Sequence, residues 1–563
     1  MHARQRVLGA SGLHSVGQEL TRTVQTVLWP YGSQEGDGGR EVGQESGSTV
    51  NTREPSSSDR LPWRPVLRGR WTEQLRACID LRTLQRMWLT RDEKFYKEFF
   101  KPAFDLIGSG AVVGIFIVDS DLSAYWCERV KPLSLEELAV TISLVRPGCL
   151  DAGISEEYCR RKQSKSTSKS VHPILDQVLS ATHGLWVFQE QLLEVAKELT
   201  GWSLGKCDEL RYAISKKKPE MMSRLREEFI NDCVKKGSCN KSQARQIFDL
   251  AESAQRYLFN KAHATQFALK CLQDALIKAH EPELFYATHL NLAPHDNDRW
   301  GLIRRTVYEA RRHGIRFRPP DITKQQIVWT PSEPKIITAG WGMLRSVSYA
   351  ELASRESKPD RLCDLVSWAG KTAYTDAWAG SGALSKYHAD RYLMAIICRI
   401  YRMVPQLAKY GQFKLDKILE GLKKLAGSSQ KARQAYNILS NWEKLAPRST
   451  EYNINAMLDR YYTGITVTGY YADRLNLKKN GEVECRLVIE SVKAHRNGVT
   501  LQLGDGALCI PCYCPDNELA RHEGELIVAQ VRCGDRYRLT KWDVVGSPEP
   551  MDVFARRIFN DQS

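Results

Sequence analysis

The feature that most constrains the fold of this chain is a series of helical periods between residues 183 and 280. Shorter apolar stripes at helical spacing stop at Gly201 and Gly237, and Pro219 stands where a proline can open a helix. The clearest stripe has the spacing of a buried helix face and consists of Ala264, Phe267, Ala268, Cys271, Leu272, Ala275, Leu276 and Ala279. The sequence therefore predicts a helical module in this part of the chain.

The breaks between these helices carry cations that an apolar core does not need. Asn260, Lys261 and His263 stand at the start of the long stripe, where helix amides and the helix dipole favour an anion. A second group of cations consists of Arg211, Lys216, Lys217 and Lys218. Arginine can hold phosphate through two parallel bonds, whereas lysine acts as a point charge. A solvated loop is the commoner explanation of three consecutive lysines, so the residues alone predict only a basic helical domain.

Composition narrows the class of protein. The formal net charge of +15 favours a polyanionic partner, which can be nucleic acid or a membrane surface. The apolar run 111–118 is far shorter than the ~20 residues of a membrane span, so no membrane partner is expected. Fifteen cysteines without a secretory signal indicate a reducing cytoplasm, where we expect most of them to fill the core. Residues 1–69 are rich in glycine, serine and charge and are predicted to be a disordered leader, unless an upstream start site was misassigned.

Six motifs carry a resemblance to a known family. They are Arg146-Pro147-Gly148, FQEQ at 188–191, SLGKCDELRYAISKKKPE at 203–220, FNKAHA at 259–264, KAHEPELF at 278–285 and GIRFRPPDI at 314–322. In order and spacing they resemble the fingers of the alpha subunit of bacterial DNA polymerase III, a family C replicative polymerase. The resemblance implies DNA-directed DNA polymerase activity, a nucleotidyltransferase reaction, in DNA replication. It also implies a dNTP substrate, Mg²⁺, primer-template DNA and a cytoplasmic location at the nucleoid or replication site.

The resemblance assigns roles to residues and segments. The nucleotide site would be lined by Arg211, Lys216, Lys217, Lys218, Asn260, Lys261 and His263. The expected fold is mainly α, with polymerase fingers, a helix-hairpin-helix region and a C-terminal β-barrel of the OB-fold type. The expected domains are a disordered leader (1–69), a palm remnant with the entry to the fingers (70–131), the fingers (132–322), a helix-hairpin-helix-like region that binds duplex DNA (323–400), a helical connector (401–470), an OB-fold (471–548) and a C-terminal tail (549–563).

The catalytic acids are where this chain departs from the family. Two-metal phosphoryl transfer requires clustered carboxylates, and the family places two of them in an Asp-x-Asp pair on a palm strand upstream of its fingers. No such strand precedes residue 80, and the family's third carboxylate falls at Ala77. Asp80 is either a displaced metal ligand or, more commonly for such a residue, a helix N-cap. We therefore expect no metal site in this chain and a separate palm-bearing chain that holds Mg²⁺.

Two further segments depart from the family pattern. The segment GIFIVDS at 114–120 resembles the short strand that enters the fingers, with Ile117 in place of the usual glutamine. In the helix-hairpin-helix region, Ser346-Val347-Ser348 replaces a Gly-Val-Gly turn whose amides hold a phosphate, which puts close backbone approach in doubt. SGAL at 381–384 keeps the second half of that pattern better.

A basic helix is a candidate for binding duplex DNA. Its arginines are Arg304, Arg305, Arg311 and Arg312, although a solvated basic face explains them equally well. A sliding clamp is a further candidate partner, but QAYNIL at 434–439 is a poor match to a clamp-binding peptide.

Five alternating segments between residues 482 and 545 predict the strands of an OB-fold that binds single-stranded DNA. The candidate contacts are Lys493, Arg496, Arg532, Arg536, Tyr513 and Trp542. Cys509, Cys512 and Cys514 suggest zinc only weakly, because strand alternation separates neighbours and no second ligand pair follows.

Two functions remain open. The first is one chain of a split polymerase, which supplies fingers, DNA-binding and OB modules to the palm-bearing chain. The second is a non-catalytic DNA-binding replication accessory protein derived from the polymerase. The SKKKPE and FNKAHA segments, which resemble the family's nucleotide-contact motifs, favour the first function, because a protein that only binds DNA needs no triphosphate site.

Overall fold

The chain was analysed as a computed structural model. The described residues are 70–164, 170–216, 219–254, 257–355, 358–410, 414–449, 453–467, 481–495, 498–505, 509–533 and 537–560. They fall into two compact units, and the boundary along the chain lies between Pro282 and Glu283. The predicted leader, 1–69, lies outside the described residues.

The first unit is helical. Its α-helices are α1 Thr72–Ala77, α2 Leu81–Thr90, α3 Glu93–Phe95, α4 Lys101–Gly108, α5 Asp121–Val130, α6 Leu135–Leu144, α7 Pro147–Asp151, α8 Ile154–Ser164, α9 Pro173–Val178, α10 Gln189–Thr200, α11 Leu204–Lys216, α12 Pro219–Lys236, α13 Lys241–Ala254 and α14 Lys261–His280. A π-helix, Tyr96–Phe100, joins α3 to α4, and a 3₁₀ turn, Ser180–Thr182, follows α9. The predicted helix end at Gly201 and the predicted helix start at Pro219 are confirmed. Gly201 ends α10 in the left-handed conformation, and Pro219 is the first residue of α12.

The long apolar stripe forms α14, which packs on α2, α4 and α6. Its polar side chains are also inside and bind the backbone of earlier segments. Gln273 Nε2 donates to Cys78 O (2.6 Å), Lys278 Nζ to Val113 O (2.6 Å) and Ala111 O (2.9 Å), and Asp274 Oδ2 accepts from Phe116 N (3.0 Å). Because buried polar groups need partners, these bonds fix the segment 78–116 on α14.

A second core in this unit lies among α9 to α13. It contains Trp186, Leu192, Leu199, Leu225 and Phe248, all buried. Trp202 also belongs to this core, and its indole Nε1 donates to Asp232 Oδ2 (2.6 Å).

One predicted element of the first unit is wrong. The segment 114–120 forms turns and not a strand, because Gly114 and Ile117 have positive φ angles (76° and 62°) that interrupt an extended backbone.

The second unit joins helices to two sets of strands. Its α-helices are α15 Pro282–Leu292, α16 Arg299–Arg312, α17 Tyr349–Ala353, α18 Leu362–Trp368, α19 Thr372–Gly380, α20 Arg391–Met403, α21 Leu415–Ala426, α22 Gln430–Ser440, α23 Trp442–Leu445, α24 Ile454–Thr463 and α25 Met551–Asn560. Three 3₁₀ turns are Ala293–His295, Pro405–Tyr410 and Glu518–Arg521. Its strands are β1 Arg316–Arg318, β2 Thr330–Glu333, β3 Ile336–Thr338, β4 Gly481–His495, β5 Gly498–Gly504, β6 Cys509–Cys514, β7 Leu526–Cys533 and β8 Tyr537–Gly546.

The helices of the second unit share one core, from α17 to α25. A buried ion pair ties α20 to α24, with Arg391 Nη2 2.8 Å from Asp459 Oδ1. The QAYNIL segment lies in α22 with Ala435, Ile438 and Leu439 buried in this core. Its apolar residues therefore pack in the core, whereas a clamp-binding peptide exposes its apolar residues to the partner.

The C-terminal segment 549–563, predicted as a tail, contains a packed helix. Phe554 of α25 stacks edge-on against Tyr392 (ring centroids 4.7 Å apart), and the Tyr462 hydroxyl accepts a bond from Met551 N (2.9 Å). The segment folds back because Met551, Phe554 and Ile558 recur on one helix face and are buried.

The strands form a three-stranded sheet of order β1-β3-β2 and a closed barrel of order β4-β5-β6-β8-β7. The barrel strands occupy the five predicted segments, and they are antiparallel except for the β6–β8 pair. A mainly α chain with a C-terminal β region is thus as predicted. Along the described ranges no helix combines the length and the apolar character that crossing a bilayer requires.

Candidate functional site

Two motifs that are distant in sequence meet at the starts of α10 and α14. Phe188 and Phe259 form a parallel bridge, in which Phe259 N donates to Val187 O (2.9 Å) and Gln189 N donates to Phe259 O (2.8 Å). The Gln191 side chain holds the turn from inside, since its Oε1 accepts from Val187 N and Phe188 N at 2.9 Å each. The first turns of the two helices therefore lie side by side.

The α14 N-terminus is closed by protein groups. Asn260 is the N-cap, and its Oδ1 accepts from His263 N (2.8 Å). Glu190 Oε2 accepts from Lys261 N (2.8 Å), while Glu190 Oε1 accepts from Asn260 Nδ2 (3.0 Å). A carboxylate thus takes the place that the sequence predicted for a phosphate at these amides. What this end offers a ligand is the exposed side chains of Lys261 and His263.

Aromatic rings and a third motif complete this surface. The Arg146 guanidinium lies 4.1 Å from the Phe259 ring centroid, and the His263 ring lies 4.0 Å from Phe267 and 5.6 Å from Phe259. We call the residues Arg146, Glu190, Asn260, Lys261 and His263 the α14 start surface. Three predicted motifs therefore converge on one place that is rich in cations.

The other predicted nucleotide contacts lie on α11 or beyond the described residues. Arg211 Nε is 2.6 Å from Asp208 Oδ1 on the same helix. Lys216 is the last residue of α11, and its side chain is outside the described part of the chain, as are Lys217 and Lys218 entirely. Of the predicted nucleotide contacts, only Asn260, Lys261 and His263 are brought together in the described part of the chain.

Asp80 is a helix N-cap. Its Oδ1 accepts from Arg82 N (3.2 Å), and its Oδ2 accepts from Thr83 N (3.1 Å) and from the Thr83 hydroxyl (2.7 Å). These bonds lower the pKa of the exposed carboxyl, with the Thr83 hydroxyl contributing most. Across the described ranges there is no group of three His, Cys, Asp or Glu side chains placed to hold a metal. Asp80, with both carboxylate oxygens engaged in the helix cap, therefore does not fit a Mg²⁺ ligand.

The two segments that the sequence analysis compared with the helix-hairpin-helix pattern each contain one residue of positive φ. Ser346 has φ 66°, the left-handed conformation that a glycine adopts without strain, and Ser348 caps α17 through a bond from Glu351 N (3.4 Å). In the second segment Gly382 has φ 79°. The serine at 346 therefore adopts a conformation typical of glycine, at a cost in backbone strain.

The arginines of α16 fall on two faces. Arg304 and Arg311 line a small cavity beside Tyr308 and the buried Glu490, and Arg311 donates to Thr466 O. Arg305 and Arg312 are exposed on another face of the helix. Residues 304, 308 and 311 share one face at the i, i+4, i+7 spacing, which the sequence already contained. Only Arg305 and Arg312 of the four predicted duplex contacts are exposed.

A row of outward side chains crosses the barrel. The strand registers pair Lys493 with Thr500, Thr500 with Tyr513, Tyr513 with Arg538, and Arg538 with Arg532. We call these five residues the barrel row. Arg532 is anchored by Glu482, with Nη2 2.6 Å from Oε1. Three of the predicted single-strand contacts, Lys493, Tyr513 and Arg532, therefore lie in one line.

The remaining predicted barrel contacts lie elsewhere. Trp542 packs partly buried against the barrel core, because a bulge between Leu539 and Lys541 reverses the alternation of β8. Arg496 and Arg536 lie outside the described residues. Cys512 and Cys514 are buried inward and Cys509 is half-buried, which agrees with packing and not with a zinc site.

Sequence reasoning missed Thr500 and three charged residues of these surfaces. Arg146 and Glu190 were quoted within motifs but were given no role, although their positions before Pro147 and at a helix start were visible. Arg538 was missed because only its register with Tyr513 and Arg532 brings it into the barrel row.

Comparison with known proteins agrees with the motifs. Residues 98–237 match the family described as "Bacterial DNA polymerase III alpha subunit finger domain". The DNA polymerase III subunit alpha of Aquifex aeolicus is 30% identical over 256 residues, which are 46% of this chain and 21% of that protein. The same subunit of Halalkalibacterium halodurans is 28% identical over 315 residues, or 54% of this chain and 28% of that protein. In Buchnera aphidicola it is 28% identical over 400 residues, or 68% and 34%.

The aligned part thus spans between a fifth and a third of these relatives. Residues 98–237 are therefore similar to the finger domain of bacterial DNA polymerase III alpha subunits, and the chain resembles part of such a subunit.

Proposed function

We propose that this chain is one component of a split replicative DNA polymerase. Its first unit binds the incoming dNTP, its second unit binds primer-template and single-stranded DNA, and a separate palm-bearing chain contributes the carboxylates that hold Mg²⁺. The relatives named above are DNA polymerase III alpha subunits, which supports a role in DNA replication.

The observation that carries this proposal is the convergence of three fingers motifs on the α14 start surface. The side chains of Lys261 and His263 are exposed there, while Glu190 accepts the Lys261 amide and Asn260 accepts the His263 amide. In this arrangement the triphosphate oxygens would contact the lysine ammonium and the imidazole, and the base could reach the aromatic rings of Phe259 and Phe267. A protein that only bound DNA would have no need of such a surface for a triphosphate.

The second unit supplies surfaces suited to nucleic acid. The barrel has the strand number expected of an OB-fold, and the barrel row combines three cations with an aromatic side chain that can stack on a base. The exposed Arg305 and Arg312 and the helix-hairpin-helix-like turns would contact the backbone of the duplex.

The partner requirement rests on the carboxylates. Both carboxylate oxygens of Asp80 accept backbone amides at the start of α2, so the acid predicted as a possible metal ligand has a structural role. Mg²⁺, when bound by the palm-bearing chain, would activate the primer 3′ oxygen and stabilise the leaving pyrophosphate. The alternative, a non-catalytic accessory protein, is favoured by the same capping role and by the separate DNA-binding surfaces.

The test is a Lys261→Ala variant assayed together with a palm-bearing chain from the same organism. We expect dNTP incorporation to fall at least tenfold, mainly through a higher KM for dNTP, because one point charge on the triphosphate is lost. Binding of primed DNA by the chain alone should change less than twofold.

Lys241→Ala is a matched control, because Lys241 is also an exposed first helical residue that follows an asparagine N-cap. Incorporation should be unaffected by it. Equal losses of incorporation and of DNA binding in Lys261→Ala would favour the accessory protein. Sustained extension of a primer by this chain alone, with contaminating polymerase excluded, would refute the split arrangement.

A further inference from the structure

One face of α14 carries a half-buried lysine, Lys270, that the predicted nucleotide contacts did not include. Helix spacing puts His263, Phe267 and Lys270 on the same side of α14, at positions i, i+4 and i+7. The 4.0 Å between the rings of His263 and Phe267 agrees with this common face. Lys270 therefore lies one turn beyond Phe267 and about 10 Å along the helix from His263.

A neutral group holds the Lys270 ammonium. Gln273 Nε2 donates to Cys78 O (2.6 Å) and Ile79 O (3.0 Å), which leaves its Oε1 facing Lys270, 3.5 Å from Nζ. An ammonium has three N–H donors, and this long contact is the one acceptor that the described ranges supply to it. The remaining N–H groups are therefore available to a ligand.

The charge of this ammonium is not neutralised by a contact. No carboxylate within the described ranges lies at ion-pair distance from it, and Asp274, one turn further along α14, has its Oδ2 engaged by Phe116 N (3.0 Å). Burial lowers the pKa of Lys270 more than the Asp274 charge raises it. A half-buried charge without a contacting counter-ion is costly, so an anion bound beside Lys270 would offset that cost.

We propose that Lys270 binds a phosphate group of a nucleotide that lies on the face of α14 formed by His263 and Phe267. A lysine ammonium is a compact point charge that suits a phosphate oxygen, and the Phe267 ring one turn away offers a surface to the sugar or base. This ring is held before a ligand arrives, because Phe116 packs edge-on against it at 5.4 Å.

The phosphate belongs either to the incoming dNTP or to the end of the primer strand, since both present the same chemistry to an ammonium. This assignment rests on the proposed binding of a nucleotide at the α14 start surface, and it extends that site along the helix by one further cation.

The test measures the binding of two ligands to the full chain separately, dATP without DNA by calorimetry and a primed duplex without dNTP by fluorescence anisotropy. Lys270→Met removes the charge and keeps the length of the side chain, so the dissociation constant of at least one ligand should rise about tenfold. A rise for dATP identifies the incoming nucleotide as the source of the phosphate, and a rise for the duplex alone identifies the primer strand. Wild-type affinity for both ligands would overturn the proposal.

Lys162→Met is a matched control, because Lys162 is also a half-buried lysine of the first unit but contacts a carboxylate, Glu137 Oε2, at 2.9 Å. It should bind both ligands as the wild type does and should melt at a lower temperature, since Glu137 loses its partner. Lys270→Met should melt at the wild-type temperature or above it, because it removes a half-buried charge that contacts no counter-ion. Loss of stability together with loss of binding in Lys270→Met would indicate a structural role and overturn the proposal.

Two patterns separate this inference from the nucleotide site proposed above. If Lys261→Ala weakens dATP binding and Lys270→Met weakens neither ligand, only the assignment of Lys270 fails. If Lys261→Ala has no effect on dATP and Lys270→Met weakens binding of the duplex, the proposed dNTP site fails and the phosphate contact of Lys270 stands. Weaker association of Lys270→Met with the palm-bearing chain, at unchanged affinity for both ligands, would overturn the proposal in favour of a protein carboxylate.

Discussion

Ile117 has φ 62°, although its branched Cβ clashes with the backbone in the left-handed region. The family pattern has glutamine at this position. The isoleucine is 43% exposed, so its burial offsets little of the free-energy cost of the strained backbone. Its neighbour Phe116 is held on both sides, by the bond of its amide to Asp274 and by edge-on contact with Phe267 at 5.4 Å. The rigid neighbour therefore imposes the strain on residue 117.

Replacing this residue should stabilise the first unit. Ile117→Asn places a side chain that tolerates the left-handed conformation, so we expect a gain of about 1 kcal/mol in the free energy of unfolding. Ile117→Val keeps the branched Cβ and should give no gain. Chemical denaturation of the three proteins decides the matter, and equal stability of the two variants would show that the backbone is unstrained.

Asp274 makes stability depend on pH. Burial raises the pKa of its carboxyl from 3.8 to about 6, despite Lys270 and Lys278 nearby. The folded chain therefore binds the proton more tightly than the unfolded chain, so the stability from this group is present at low pH and lost as pH rises from about 4 to above 6.

The matching prediction concerns Asp274→Asn. Between pH 5 and pH 7 the wild type should lose about 1 kcal/mol of stability relative to this variant. Asp151→Asn, at an exposed position, should follow the wild type. Thermal melts at both pH values measure the difference, and parallel pH profiles for wild type and Asp274→Asn would contradict it.

At the scale of elements, a bulge in β4 aims a carboxylate at two helices. The register shifts between Ile489 and Ser491, which turns the buried Glu490 towards Arg460 Nε (2.7 Å) and the Tyr308 hydroxyl (3.2 Å). This contact docks the barrel on α16 and α24 within the second unit.

Substitution of two glutamates of β4 by alanine should therefore lower the free energy of unfolding by different amounts. Glu490→Ala leaves a buried arginine without its carboxylate and should destabilise the second unit by about 3–5 kcal/mol. Glu482→Ala breaks the exposed pair with Arg532 and should cost less than about 1 kcal/mol. Denaturant unfolding of both variants is the measurement, and similar losses would mean that the Glu490 contact is not a docking point.

The bulge in β8 separates two aromatic residues that the sequence treated alike. Tyr513 belongs to the barrel row, whereas Trp542 packs on the barrel core. Tyr513→Ala should weaken single-stranded DNA binding by about 1–3 kcal/mol with little change in melting temperature. Trp542→Ala should lower the melting temperature instead. Fluorescence anisotropy with an oligonucleotide and a thermal melt distinguish the two, and a reversed pattern would refute the assignment of the faces.

At the scale of the whole molecule, each of the two compact units contains a hydrophobic core cluster. Domains with their own cores commonly unfold as separate cooperative units. We expect two transitions in calorimetry, with Ile117→Asn moving only one of them and Glu490→Ala only the other. A single transition moved by both variants would mean that the units unfold together.

Much of the fold was predictable, because helices and strands follow from local patterns. The stripe of α14, the stop at Gly201, the start at Pro219 and the five barrel strands all depend on residues close together in sequence. The predicted strand at 114–120 was wrong because distant contacts decide the backbone there: Asp274 and Phe267 hold Phe116, the neighbour of Ile117, in a turn. Distant contacts also place α25, which lies within the segment predicted as a tail, against Tyr392 and Tyr462.

The sequence by itself determined the family resemblance, the order of the elements and the basic character of the chain, since motifs and charge are properties of the residues. Only the tertiary structure decided which of those charges a ligand can meet. Glu190 accepts the Lys261 amide, Asp80 caps a helix, and Arg311 donates to a backbone carbonyl. The reason is that a charged side chain is available or occupied according to its neighbours in space, and those come from distant parts of the chain.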